Sequence, residues 1–233
     1  MENYSLNVGS AIGTGWEYAK KHGLVVAVIL LGIWLITSMV GSLTGTSMDI
    51  ETARELGEQI GRGNWEVLKV YREQTTPTMG VSIMGLLLNT VVYVGLYNLA
   101  LGLMSGRLTE AGFDVFKLPL MVYVKFFVTD LLVSIIATIS ILLCVIPAFF
   151  IIPRIVFAPI YLIDNPDAGI IESIQASWKM TKGETIDIIV IGLAILGITI
   201  LGYLCCCVGV FFADAVSMFI FTAAYYQMRG KLV

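Results

Sequence analysis

The sequence predicts an all-α membrane protein with six transmembrane helices and further amphipathic helices at the membrane interface. Of the 233 residues, 58% are hydrophobic and only 13% are charged, which is too little charge to cover the surface of a soluble protein. The apolar residues also fall in long runs, and a helix needs about 20 such residues to cross a bilayer. No run shows the apolar–polar alternation of a membrane β-barrel.

Six apolar runs are the predicted spans of a single integral membrane domain, residues 1–233. Each is predicted as a helix because lipid offers no hydrogen-bond partner to free backbone groups. The predicted spans are 24–44, 80–104, 119–145, 148–163, 186–208 and 211–227. The fourth contains Pro153 and Pro159, and because proline removes a backbone donor we expect this helix to kink.

Lysine and arginine are unevenly shared between the two sides of this predicted bundle. Four lie in the polar segment 48–79, and eight flank the other side: Lys20, Lys21, Arg107, Lys117, Lys179, Lys182, Arg229 and Lys231. Positive residues accumulate on the cytoplasmic side of membrane proteins. Both termini are therefore predicted to be cytoplasmic and segment 48–79 extracytoplasmic, which an even number of spans permits.

Three shorter segments, about 10–22, 109–117 and 165–183, predict helices that lie along the interface. In each, an aromatic residue stands four positions before a lysine, so that ring and ammonium share one helix face and can anchor it at headgroup level. These pairs are Trp16 with Lys20, Phe113 with Lys117, and Trp178 with Lys182. One interpretation is a threefold repeat of interfacial helix plus helical hairpin; the other, that such residues flank most spans anyway, stays open.

Segment 165–183 carries the fullest helix signature. Asn165 suits the N-cap, Pro166 the first helical position and Gly183 the C-cap. One face of this predicted helix gathers Ile170, Ile171, Ile174, Trp178 and Thr181, and the other gathers Glu172, Gln175, Lys179 and Lys182. Such a helix is typical of one that lies in the interface plane.

Two stretches resemble a known group of proteins. They read Arg154-Ile-Val-Phe-Ala-Pro-Ile-Tyr-Leu-Ile-Asp164-Asn-Pro and Ser173-Ile-Gln-Ala-Ser-Trp178-Lys-Met-Thr-Lys182-Gly183. Over residues 147–230 the chain resembles a broad group of uncharacterised bacterial six-helix membrane proteins, similar to the membrane domain of some glycerophosphoryl diester phosphodiesterases. The resemblance implies a bacterial inner (plasma) membrane location. It implies no activity, because the enzymatic half of those phosphodiesterases is a separate soluble domain.

Arg154 is the predicted centre of a polar site inside the membrane. A guanidinium in hydrocarbon is costly unless it is paired or hydrated, so it should face the bundle interior or a polar cavity. Its candidate partners are Asp130, Asn89, Asn98 or a lipid phosphate. A purely structural clamp and a site for a substrate or lipid headgroup both stay open.

Catalytic, cofactor and metal-binding patterns are missing from the sequence. His22 is the only histidine, and three of the four cysteines are consecutive, so they point to different faces of a helix. The net charge of −3 argues against a nucleic-acid partner. We therefore expect a non-enzymatic protein without cofactor or metal, which organises membrane lipids or other membrane proteins. The alternative is a small transporter or lipid-handling protein that uses the polar site around Arg154.

Overall fold

The protein is all-helical in a computed structural model that describes residues 6–43, 50–67, 79–108, 113–143, 145–204 and 207–232. Within these ranges we label nine α-helices: α1 Val8–Leu43, α2 Ile50–Gly61, α3 Met79–Met104, α4 Leu120–Leu143, α5 Val145–Ile155, α6 Ala158–Asp164, α7 Ile170–Met180, α8 Thr185–Leu204 and α9 Cys207–Met228. Two 3-10 helices cover Phe113–Phe116 and Arg229–Leu232. The described residues contain no strand.

Five stretches of these helices are long and apolar enough to cross a membrane. They are Val8–Met39, Gly85–Met104, Leu120–Leu142, Thr185–Leu204 and Gly209–Met228. Each overlaps one of the predicted spans, so the prediction of an all-α, multi-pass membrane protein is confirmed at this level.

The predicted span at 148–163, which was expected to kink, is interrupted. The chain forms α5, of 11 residues, and α6, of seven, separated by a turn at Val156 and Phe157. Pro153 lies inside α5 and Pro159 lies at the start of α6, so one backbone donor is missing on each side of this turn. At 1.5 Å per residue the two helices are only about 16 and 10 Å long, so neither spans a bilayer alone.

The predicted interfacial helix at 10–22 is not separate from the first span. Both belong to α1, which continues for 36 residues, or about 54 Å. Gly23 is the only weak helix former at the predicted boundary, and a single glycine costs about 1 kcal/mol, too little to end a long helix. In the middle segment, residues 109–112 lie outside the described residues, and Phe113–Phe116 form a single 3-10 turn.

The predicted helix at 165–183 is shorter at both ends. Asn165 caps the end of α6, where its N–H donates to the Tyr161 carbonyl at 2.8 Å, rather than starting the next helix. The N-cap of α7 is instead Gly169, whose N–H donates to the Glu172 carboxylate at 3.1 Å in a capping box. Gly183 does adopt the left-handed conformation expected after a helix end, with φ of +92°.

The chain divides into two compact units, one of residues 1–29 and 90–233 and the other of Leu30–Asn89. The smaller unit includes α2, which covers part of the predicted polar segment 48–79; residues 68–78 lie outside the described residues. The core of the larger unit lies around α9, where Phe219, Ile220 and Tyr225 are fully buried. A Cβ on Gly15 would lie 2.5 Å from the Ile220 Cα, so only glycine allows α1 to approach α9 this closely.

Candidate functional site

Helix α7 presents three different faces. Its bundle-facing residues are small or unbranched: Ser173, Ala176, Ser177 and Met180 are buried. A second face is apolar and open, with Ile171 70% and Trp178 44% exposed. The third face carries the exposed polar residues Glu172, Gln175 and Lys179. The helix therefore packs through three small residues and Met180, while Ile171 and part of Trp178 remain exposed.

The buried face of α7 binds a backbone group freed by the helix break. Because α5 ends at Ile155, the Arg154 carbonyl has no amide partner one turn further on. The Ser177 hydroxyl donates to this carbonyl at 2.7 Å, and the Thr181 hydroxyl lies 3.5 Å from it. The Ser177 bond ties the end of α5 to the end of α7, shortly before α8 begins at Thr185.

The Arg154 side chain lies over the indole of Trp178. Its guanidinium carbon is 5.1 Å from the ring centroid, a cation–π distance. The residue is half-buried, and within the described residues no carboxylate lies within 4.0 Å of its guanidinium. The structure thus brings together two residues that the sequence assigned to different roles, Arg154 to an intramembrane polar site and Trp178 to an interfacial anchor.

Asp164, at the end of α6, is held by residues from the end of the chain. The Tyr225 hydroxyl donates to its carboxylate at 2.9 Å, and Arg229 Nη1 lies 3.1 and 3.2 Å from the two carboxylate oxygens. Only 14% of the Asp164 side chain is exposed, against 33% for Arg229. This pair was missed from the sequence, where Arg229 counted only as a charge that sets orientation.

Lys125 fixes the loop that enters α7. Its ammonium donates to the Pro166 carbonyl at 3.0 Å and to the Ala168 carbonyl at 2.9 Å. The sequence placed this lysine inside the third predicted span and gave it no role. Its position in the first turns of α4 lets it cap loop carbonyls rather than remain unpaired in hydrocarbon.

The other predicted members of the polar site are Asn98, Asp130 and Asn89. Asn98 donates to the Val115 carbonyl at 2.9 Å, and Asp130 is exposed on α4. Among the described residues, no hydrogen bond or ion pair joins either of them to Arg154. Asn89 belongs to the smaller unit, where its side chain is exposed. A common site of these four residues stays a prediction.

The predicted anchors are mostly exposed. Trp16, Lys117, Trp178 and Lys182 are exposed, and Lys20 forms an ion pair with Glu17 within α1. The side chain of Phe113 lies outside the described residues. An anchoring role for these residues stays a prediction.

Two hollows lie beside α5, α6 and the start of α7. A polar one of about 440 Å³ lies beside Asp164, Asp167 and Glu172, and an apolar one of about 340 Å³ lies beside Pro153 and Phe221. Within the part of the chain that the structure describes, no group of three His, Cys, Asp or Glu side chains could hold a metal ion.

Comparison with known proteins adds no relative: no protein-family model matches the chain, and no curated protein or solved structure matches it. The resemblance over 147–230 therefore stays a prediction. Function has to be argued from the geometry of α7 and its neighbours.

We expect Ser177→Ala to destabilise the protein, because it leaves the Arg154 carbonyl without its 2.7 Å partner. An unsatisfied buried acceptor costs about 1–3 kcal/mol. The matched control is Ser217→Ala, since Ser217 donates to a carbonyl within its own helix and its loss leaves that helix bonded. Thermal unfolding of the purified proteins should show a lower midpoint for Ser177→Ala alone. Equal unfolding midpoints for the two variants would contradict a stabilising role of the Ser177 hydroxyl.

Proposed function

We propose that the protein is a non-enzymatic membrane protein that organises lipid at the cytoplasmic face of a bacterial inner membrane, with α7 lying in the interface. The observation that carries this proposal is the open apolar face of α7 opposite its packed, small-residue face. In water, Ile171 and Trp178 would remain solvated at a cost of about 25 cal/mol for each Å² of apolar surface. At an interface the same face inserts into lipid.

Helix α7 is unsuited to any other membrane position. Its 11 residues extend about 16 Å, roughly half the hydrocarbon thickness. Glu172 and Lys179 are exposed and would be costly in the hydrocarbon core. Lys179 and Lys182 fit an anionic surface, where each contributes about 1 kcal/mol.

The proposed topology has six spans. In it, α5 and α6 together form the fourth, since Val145–Asp164 covers 20 residues and about 30 Å if extended end to end. The eight-to-four distribution of lysine and arginine supports cytoplasmic termini. Membrane lipids are the proposed partners, and the exposed apolar faces also suit other membrane proteins.

The alternative function is transport or lipid handling through a polar site around Arg154. The broken fourth helix favours it, because transporter sites are often built where a helix is interrupted. In such sites the freed carbonyls face the ligand. Here the Arg154 carbonyl is already bound by Ser177, which favours the lipid-organising function.

Orientation can be tested with single cysteines in a cysteine-free background. We expect Glu66→Cys to react with an impermeant maleimide in intact cells, and Gln175→Cys to react only after permeabilisation. Both side chains are exposed, whereas Ser177 is buried and would not label from either side. Reaction of Gln175→Cys in intact cells would overturn the orientation.

The depth of α7 can be read from Trp178 once Trp16, Trp34 and Trp65 are replaced by phenylalanine. We expect blue-shifted emission that is quenched by lipids brominated near the headgroup, because the indole lies at headgroup depth. The measurement uses the full chain in vesicles. Red-shifted emission quenched by aqueous iodide would contradict the interfacial position.

A further inference from the structure

Arg154 carries a positive charge that the described protein neighbours do not neutralise. Its guanidinium lies on the Trp178 indole at 5.1 Å, and no carboxylate of the described residues is within 4.0 Å. A guanidinium presents five N–H donors in a planar fork. These donors match the oxygens of a phosphate, which Arg can bind with two parallel hydrogen bonds.

Two acidic residues near α7 are engaged elsewhere. Glu172 caps the far end of α7, where its carboxylate accepts the Gly169 N–H at 3.1 Å. Asp164 is bound by Arg229 and Tyr225. Lys179 and Lys182, one and four positions after Trp178, are exposed and positively charged. With no carboxylate of the described residues within 4.0 Å, the Arg154 guanidinium itself suits an anion.

The surroundings of Arg154 suit a lipid better than a free ion. Phe150 precedes Arg154 by one helical turn and is 60% exposed, and Trp178 is 44% exposed. An acyl chain can lie along Phe150 while the phosphate reaches the guanidinium. The Arg154 carbonyl lies beside Ser177 and Thr181. These two residues stand only a few positions before α8 begins at Thr185, and this place near the end of a span suits headgroup depth.

We propose that Arg154, which lies over Trp178, binds the phosphate of a phospholipid, with an anionic headgroup preferred because of Lys179 and Lys182. The inference rests on the proposed function, since it requires α7 to lie at the interface. It goes further by naming the ligand group and the residue that binds it. The Ser177 hydroxyl donates to the backbone carbonyl of Arg154, so a change in the Arg154 side chain leaves that hydrogen bond in place.

The test measures lipid binding to the purified full chain in detergent by native mass spectrometry. The probes are phosphatidylglycerol, a diacylglycerol of the same acyl chains that lacks phosphate, and inorganic phosphate. We expect Arg154→Gln to weaken phosphatidylglycerol binding about tenfold, a typical effect for loss of a charged, bidentate contact. Arg154→Lys should lose part of this affinity, because an ammonium keeps the charge without the planar fork.

The matched control is Arg107→Gln, which removes the same charge from an exposed arginine bonded to Ser105. It should bind phosphatidylglycerol as the wild type does. Diacylglycerol should bind weakly, with no dependence on Arg154. Unchanged binding in both Arg154 variants, or equal binding of diacylglycerol, would overturn the inference. Binding of inorganic phosphate with the same dependence on Arg154 would also overturn it, by showing a site for free anions.

The two proposals fail differently. If Arg154→Gln leaves binding unchanged while Trp178 still reports headgroup depth, the phosphate site is wrong and the lipid-organising function stands. Water-like emission from Trp178 would contradict both.

Discussion

The packing of α7 on α5 depends on the backbone carbonyl of Arg154, which is left without an amide partner where the fourth apolar segment breaks. Two prolines flank the break, and α5 ends before the Arg154 carbonyl finds an amide partner. In a membrane such a carbonyl must be bonded within the protein. The Ser177 hydroxyl does this, and so the small-residue face of α7 is directed to the bundle.

That one bond also sets the surface that α7 offers to its surroundings. With Ser177 inward, Ile171 and Trp178 are exposed, and the indole lies beside the Arg154 guanidinium. Lys125 and the Asp164–Arg229 pair hold the loop before α7 and the end of α6, so the helix is fixed at its entry as well. The aromatic–arginine pair is the feature on which the proposed function draws.

The spans could be predicted from the sequence because an apolar run of about 20 residues is typical of a membrane-crossing helix. The inward face of α7 could not be predicted from hydrophobicity, because protein interior and lipid are equally apolar; small residues such as Ala176 and Ser177 mark the interior instead. The contact between Arg154 and Trp178 was also missed. Counting residues along a continuous helix placed Arg154 deep in the bilayer, and the break at Phe157 changes that geometry. Asn165 was misassigned because the same residue type suits both ends of a helix.

The central claim is that α7 lies in the interface with the face that carries Ile171, Ile174 and Trp178 in lipid. Spin labels on opposite sides of the helix test this claim most directly. Single cysteines at Ile174 and Lys179, in the full chain in vesicles, would carry the labels. We expect the label at 174 to be accessible to oxygen, which concentrates in lipid, and the label at 179 to be accessible to a water-soluble nickel complex. Greater nickel than oxygen accessibility at 174 would contradict the interfacial position of α7.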